Sequence, residues 1–389
     1  MYPGISDLFN DLFGTHFSVS FPPSFGTLVA ISFLLAALTL TKELKRKEAL
    51  GLLQSTTRTT TIGEPASFSE IFFNAVFGFV LGFKVLYAVF LGHDFFSNPQ
   101  GAILSLKGNW AGGIAGAALF AYLKYREKEK KKLTKPETIT EVVYPHQLVS
   151  EITMMSALGG IVGAKLFDAL EDWDNFIHDP IGLLFSGSGL TMYGGLIVGA
   201  IVVLRYAKKN NIPALHLCDA NAPGLMLAYG FGRLGCQVAG DGDWGVPNLH
   251  PKPDWMGFLP EWFWSYRYPH NVVNQDMPIP NCQGQHCFIL EYPVFPTPLY
   301  ESIVCIGLFF LLWGIRKKFT TPGMMFSVYL LLNGIERFLV EQIRVNSKYH
   351  FAGLAFTQAQ LISLCLILLG TFGIFYFRAK GKKMEHAVL

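Results

Sequence analysis

Asn333, Arg337 and Glu341 interrupt a segment, 324–343, that is otherwise mostly Phe, Leu, Val, Ile and Met, and Arg344 follows it directly. Their spacing of four, four and three residues places all four on one face of a continuous helix. An arginine at the centre of a bilayer costs roughly 3 kcal/mol or more, so two of them with a carboxylate between require a protein-lined cavity rather than lipid. A guanidinium stays charged there and offers a planar fork of donors, which suits an anionic oxygen group, phosphate above all.

Two further groups carry the same kind of chemistry. Arg233 lies in Gly230-Phe231-Gly232-Arg233-Leu234-Gly235, followed by Asp241 and Asp243 in a glycine-rich exit, so backbone and lipid can approach it closely. The plainer alternative is an arginine snorkelling to the membrane interface. Glu301 follows Pro296-Thr297-Pro298-Leu299-Tyr300; the prolines fix a helix start, and a carboxylate in that first turn complements the helix dipole whether or not it does chemistry.

The elements that must position these groups are membrane helices. The 389 residues are 51% hydrophobic and only 15% charged, with 34 Phe and a mean hydropathy of +0.34. A soluble domain carries about a quarter charged residues, so that class is excluded, and nucleic acid is not among the expected partners. Nine spans are expected at 25–41, 71–92, 101–123, 147–170, 181–204, 216–238, 299–315, 322–343 and 356–377. Of the 31 Lys and Arg, 22 fall in the segments 42–58, 124–135, 205–209, 316–318 and 378–383, which lie on one side of a nine-span chain. That side is cytoplasmic by the positive-inside rule, leaving the N-terminus outside and the C-terminus in. No cleavable signal peptide is expected, because the first 24 residues contain neither Lys nor Arg.

At an offset of 81 residues the chain resembles itself: Gly78, Gly82, Lys84, Phe95, Pro99, Gly101, Ser105, Gly108 and Gly113 match Gly159, Gly163, Lys165, Phe176, Pro180, Gly182, Ser186, Gly189 and Gly194. A duplicated hairpin accounts for this; the alternative is that glycine-rich helices resemble one another wherever membrane helices pack closely. The first copy has Asn109-Trp110 roughly where the second has Thr191-Met192-Tyr193, and reads as structural. The segments 54–65 and 124–141 read as solvated connectors. Outside, 246–298 is a long insertion whose Trp255, Trp262 and Trp264 suit the membrane surface, and whose Cys282 and Cys287 suit a short-loop disulfide in an oxidising compartment. Cys218, Cys236, Cys305 and Cys365 fall within spans, Cys236 beside Arg233. No Cys/His cluster has metal spacing, and no metal or other cofactor is expected.

The order Tyr193-Gly194-Gly195-Leu196-Ile197, Gly232-Arg233-Leu234-Gly235, Pro296-Thr297-Pro298-Leu299-Tyr300-Glu301 and Arg337-Phe338-x-x-Glu341-x-x-Arg344 resembles the bacterial prolipoprotein diacylglyceryl transferase family. The resemblance runs from about residue 147 to 378 and implies transfer of the diacylglyceryl group of phosphatidylglycerol to the lipobox cysteine of a preprolipoprotein, with release of glycerol phosphate. It implies a multi-pass protein of the bacterial cytoplasmic (inner) membrane with preprolipoprotein signal peptides as partners. By the same resemblance Arg233 contacts the lipid phosphate, Arg337 is a second essential arginine, and Glu341 and Arg344 follow one and two turns on. The chain departs from the family pattern: Tyr193 replaces a histidine before Gly-Gly, Cys236 an asparagine, Asp241 a glutamate, Asn333 a tyrosine and Glu336 an aromatic.

The reaction needs a thiolate and a stabilised phosphate leaving group. Arginines meet the second demand. For the first, a phenol of pKa about 10 is a poor base, so Glu301 and Asp241 are the candidate bases and Tyr193 a hydrogen-bond donor. Gly194, Gly195, Asn333, Tyr300, Glu341 and Arg344 complete the expected substrate site. The expected organisation is an outer segment 1–24, first span and linker 25–70, an extra hairpin 71–126, a linker 127–146, a catalytic core 147–378 and a tail 379–389. Competing readings are a transporter or lipid flippase, or a family member that binds lipid without catalysis.

Overall fold

The computed structural model describes residues 1–17, 20–91, 105, 107–185, 191–282, 284–346, 348–351 and 354–388. Nine long helices are described: α2 (Ser24–Ala49), α3 (Phe68–Leu91), α4 (Trp110–Lys131), α5 (Val149–Glu171), α6 (Met192–Lys209), α7 (Ala214–Ala239), α8 (Thr297–Ile315), α9 (Met324–Val340) and α10 (Gln358–Val388). The expected spans 101–123 and 181–204 lie partly outside the described residues, and 181–204 begins on a separate short helix, Pro180–Phe185. A short helix, α1 (Ile5–Phe13), precedes them. Among the described residues five segments are long and apolar enough to cross a membrane, at Ser24–Ala49, Phe68–Phe90, Pro145–Glu171, Thr297–Lys318 and Gln358–Gly381. The protein is a mostly helical, multi-pass membrane protein.

The chain divides into two compact units, residues 54–211 and residues 1–53 with 212–389. In the first, α3 packs on α4 and α5 on α6. Glycines let both pairs close: a Cβ on Gly78 would lie 2.7 Å from the Phe120 Cβ, and one on Gly163 2.5 Å from the Val198 Cβ. The hairpins share two kinds of contact at residues 81 apart, Lys84 with Lys165 and Phe83 with Ala164, although their partners are not 81 residues apart. Lys84 Nζ donates to Lys107 O at 2.8 Å and Lys165 Nζ to Leu183 O at 3.1 Å. Phe83 O accepts from Asn109 N at 2.9 Å, and Ala164 O, 81 residues on, from Thr191 N at 3.3 Å. Of the matched positions Phe95, Pro99, Gly101, Ser186 and Gly189 lie outside the described residues. α5 and α6, expected within a core 147–378, fall in the unit 54–211 instead.

The two connectors are not irregular. Thr56–Ile62 pairs antiparallel with Glu137–Val143, from Thr56 opposite Val143 to Ile62 opposite Glu137. Their β-branched runs, Thr-Thr-Arg-Thr-Thr-Thr-Ile and Glu-Thr-Ile-Thr-Glu-Val-Val, favour a pleated ladder over a helix, a preference that the surrounding charge obscured.

In the second unit α7 is the central element, packed on α2, α8 and α9, while α9 also packs on α10. Small residues permit this: a Cβ on Gly224 of α7 would lie 2.6 Å from Thr39 Oγ1 of α2, and one on Gly334 of α9 2.8 Å from Ser363 O of α10. The core between α7, α8 and α9 is Ala222, Met226, Leu227, Cys305, Phe309, Leu312 and Met325. Asp219 of α7 accepts from the Gly323 and Phe326 amides at 2.8 and 2.9 Å, capping α9 across the helix interface and fixing the depth at which α9 presents Arg337.

Trp244, with Tyr268, Leu290 and Val294 of the insertion 246–298, forms a second small core, and Cys282 and Cys287 of the insertion are disulfide-bonded. Of the other cysteines Cys236 and Cys305 are buried, Cys218 is half-buried and Cys365 exposed.

Candidate active site

Three backbone segments meet at Gly245. Its amide donates to Phe295 O at 2.9 Å, it forms an antiparallel bridge with Arg344, and the next amide, Val246 N, donates to Ile343 O at 2.9 Å. Only glycine fits, since a Cβ there would lie 2.6 Å from Ile343 O. Thr297 Oγ1 adds a bond to Asp243 O at 2.9 Å. The loop after α7, the entry to α8 and the exit of α9 are thus stapled together, and their charged side chains converge.

α9 ends at Val340, Glu341–Ile343 form one 3₁₀ turn, and Arg344 is extended, with φ −90° and ψ 153°. The single helical stripe expected through Arg344 is therefore corrected: Asn333 and Arg337 lie on α9, Glu341 opens the tighter turn, and Arg344 reaches the site from the extended strand that bridges to Gly245. The tighter turn and the bridge to the α7 loop are tertiary features that spacing along one segment does not encode.

Arg233, Arg337 and Arg344 alternate with Asp243, Glu301 and Glu341 in one lattice. Glu301 holds all three arginines: Arg233 Nε lies 2.6 Å from its Oε2, an ion pair outside hydrogen-bond angles, and Arg337 Nη1 and Arg344 Nη1 donate to Oε1 at 2.7 and 3.3 Å. Asp243 bridges Arg233 Nη1, through Oδ2, and Arg344 Nη2, through Oδ1 at 2.6 Å. Glu341 Oε2 lies 3.0 Å from Arg337 Nη2, and its Oε1 accepts from Thr357 Oγ1 and Asn346 Nδ2 at 2.7 and 2.6 Å. The Tyr229 ring, one turn before Arg233, faces the guanidinium at 5.4 Å.

Asp241 stands apart from the arginines. Its carboxylate, the Asp243 carboxylate and the Cys236 thiol lie within 4.8 Å of one another, and Asp241 Oδ1 accepts from Asp243 N at 3.4 Å. Burial and the neighbouring Asp243 carboxylate hold the Asp241 carboxyl above the usual carboxylate range. Asp243 is held below it, because Arg233 and Arg344 outweigh the upward push of burial.

Tyr300 of α8 donates to Phe263 O at 2.6 Å, and its ring meets the Phe263 ring at a tilt of 53° with centroids 5.5 Å apart, tying α8 to the insertion. Asn333 is half-buried on α9. Tyr193, Gly194 and Gly195 open α6 in the unit 54–211, where Gly194 packs on Phe167. The bridge that Asp243 makes between two arginines was not expected; the signal available was its place immediately before Trp244-Gly245, from which Gly242 and Asp243 separate Asp241.

A model of the prolipoprotein diacylglyceryl transferase family matches residues 114–376. A phosphatidylglycerol–prolipoprotein diacylglyceryl transferase of Clostridium tetani is 32% identical over 231 residues, covering 59% of this chain and 80% of the relative. One of Leptospira interrogans is 28% identical over 287 residues, covering 60% and 80%, and one of Lactobacillus acidophilus 30% over 285 residues, covering 72% and 89%. With the family model spanning most of the chain and α7 to α9 inside the match, this protein belongs to the prolipoprotein diacylglyceryl transferase family.

Proposed function

We propose that the chain transfers the diacylglyceryl group of phosphatidylglycerol to the lipobox cysteine of preprolipoproteins, at the outer face of the bacterial inner membrane, with nine spans, N-terminus outside and C-terminus inside. The observation that carries this is the convergence of Arg233, Arg337 and Arg344 from three chain segments onto one place beside a lipid-facing helix bundle. In the reaction the substrate sulfur forms a bond to a glycerol carbon, the C–O bond to phosphate breaks, and the electron pair leaves on the phosphate oxygen. Arg233, Arg337 and Arg344 stabilise the charge that grows there.

Glu301 is a positioning residue, because a wholly buried carboxylate whose charge is paired with three guanidiniums is a poor acceptor for a thiol proton. Asp241 is the general base: it is a carboxylate beside the lattice that no arginine holds, on the loop after α7, and its raised pKa brings it closer to the thiol it must deprotonate. Glu341 anchors Arg337, and Asn333 and Tyr300 line the lipid. A flippase would need its charges at the membrane midplane between moving halves; supporting the transferase reading, the charges here are stapled through Gly245 to the loop after α7 and the entry to α8. Expressing the chain in a transferase-depleted bacterium tests the proposal. Restored growth and lipid-modified lipoproteins are expected, and stable insertion without either would refute it.

A further inference from the structure

The lattice is already neutral without substrate: three guanidiniums face the carboxylates of Asp243, Glu301 and Glu341. A phosphodiester brought in beside them would add an uncompensated negative charge to a largely buried site, which is strongly unfavourable. One carboxylate therefore has to leave as the lipid enters.

The three differ in their freedom to do so. The side chains of Glu301 and Glu341 are 0% exposed, and Glu301 lies within α8 while Glu341 is tied to Thr357 and Asn346. The side chain of Asp243 is 35% exposed and stands on a loop after α7 whose Gly240 and Gly242 both have left-handed backbones, φ 67° and 98°. Its two oxygens each take a different arginine, as two oxygens of a phosphate would.

We propose that Asp243 is an exchangeable counter-ion that determines which anion the site accepts. It occupies the seat of the lipid phosphate between Arg233 and Arg344, swings out when a phosphodiester enters, and returns when the reaction is complete. The inference rests on the transferase reading. The exchange conserves charge: one carboxylate leaves and one phosphodiester, carrying a single negative charge, takes its place. Cleavage of the C–O bond converts that phosphate to a monoester carrying close to two charges near neutral pH. The lattice then holds one negative charge too many, and the return of Asp243 with departure of glycerol phosphate restores neutrality. Asp243 thus favours a singly charged phosphodiester donor over a doubly charged phosphomonoester lipid, and speeds product release.

The test uses the full chain in detergent, wild type against Asp243→Asn, Asp243→Ser and Asp243→Glu, with inorganic phosphate as the probe and thermal unfolding as the readout. Phosphate should stabilise the Asn and Ser variants at concentrations about tenfold or more below those needed for wild type, since a competing ion pair worth at least 1.4 kcal/mol is gone; the Glu variant should behave as wild type. In turnover the Asn variant should show a lower KM for phosphatidylglycerol, a lower kcat and stronger inhibition by glycerol phosphate. Equal or weaker phosphate stabilisation of both neutral variants would overturn the proposal, and the Ser variant decides it if the Asn variant does not fold. Wild type without lipobox transfer but with the phosphate difference would sink the transferase reading and leave the counter-ion exchange standing. Transfer without the phosphate difference would sink the exchange alone.

Discussion

Replacing Glu301 with glutamine separates its two possible roles. Its side chain is wholly buried and pairs with Arg233, Arg337 and Arg344 at 2.6, 2.7 and 3.3 Å. Removing one partner of a buried ion pair costs roughly 3–5 kcal/mol, because the remaining charge is left uncompensated. Glutamine keeps one carbonyl oxygen for one guanidinium and turns an amide N–H toward another, so the lower end applies, about 3 kcal/mol. If most of that falls on the geometry of the phosphate site, kcat/KM drops on the order of 100-fold, at about 1.4 kcal/mol per decade. Steady-state transfer to a lipobox peptide, measured from mildly acid to mildly alkaline pH, reads the effect. The loss should be uniform across that range, because guanidiniums do not titrate in it. A loss of no more than a few-fold, or one recovered as pH rises, would refute the positioning role; the second result would make Glu301 the base.

Other outcomes follow from the same geometry. Arg233→Lys and Arg337→Lys should each lose most activity although charge is kept, since an ammonium cannot span two carboxylates or grip a phosphate in a fork; a kinetic assay checks this. Asp241 holds its proton above the usual carboxylate range, so the wild-type rate should climb as pH rises through that raised range, and Asp241→Asn should flatten the climb in a pH–rate profile. The sign for stability is opposite: the folded state binds the proton more tightly than the unfolded one, so Asp241 subtracts stability above its unfolded pKa, and Asp241→Asn should raise the melting temperature at alkaline pH. Cysteine-accessibility labelling in intact cells should find positions 130 and 382 protected and position 281 accessible; labelling of 130 from outside would overturn the nine-span arrangement.

Much of the helix inventory was legible because hydrophobic blocks of spanning length and clusters of Lys and Arg are one-dimensional signals. Pro296 and Pro298 marked the entry to α8 at the position observed. Arg233, Arg337, Glu341 and Arg344 were legible as chemistry because charges are costly in apolar helices, whatever their partners. What could not be read were partnerships between distant segments. Glu301 looked like a base until its three arginines, drawn from the α7 helix, the α9 helix and the strand after it, were seen together. Asp243 read only as one of two aspartates in the glycine-rich exit after Arg233, and its bridge to Arg344 spans 101 residues of sequence. Thr56–Ile62 and Glu137–Val143 were hidden for the same reason, since a two-stranded ladder closing over α3 and α4 leaves no local periodicity strong enough to outweigh the charges around it.

The most direct test incorporates the purified chain into phosphatidylglycerol vesicles with a lipobox-cysteine peptide and follows both products by mass spectrometry. The account predicts a diacylglyceryl thioether on the peptide cysteine and one glycerol phosphate released per peptide modified, with both lost together in Arg233→Lys. An unmodified peptide in the presence of folded, lipid-bound protein, or movement of lipid between leaflets with no modified peptide, would contradict it.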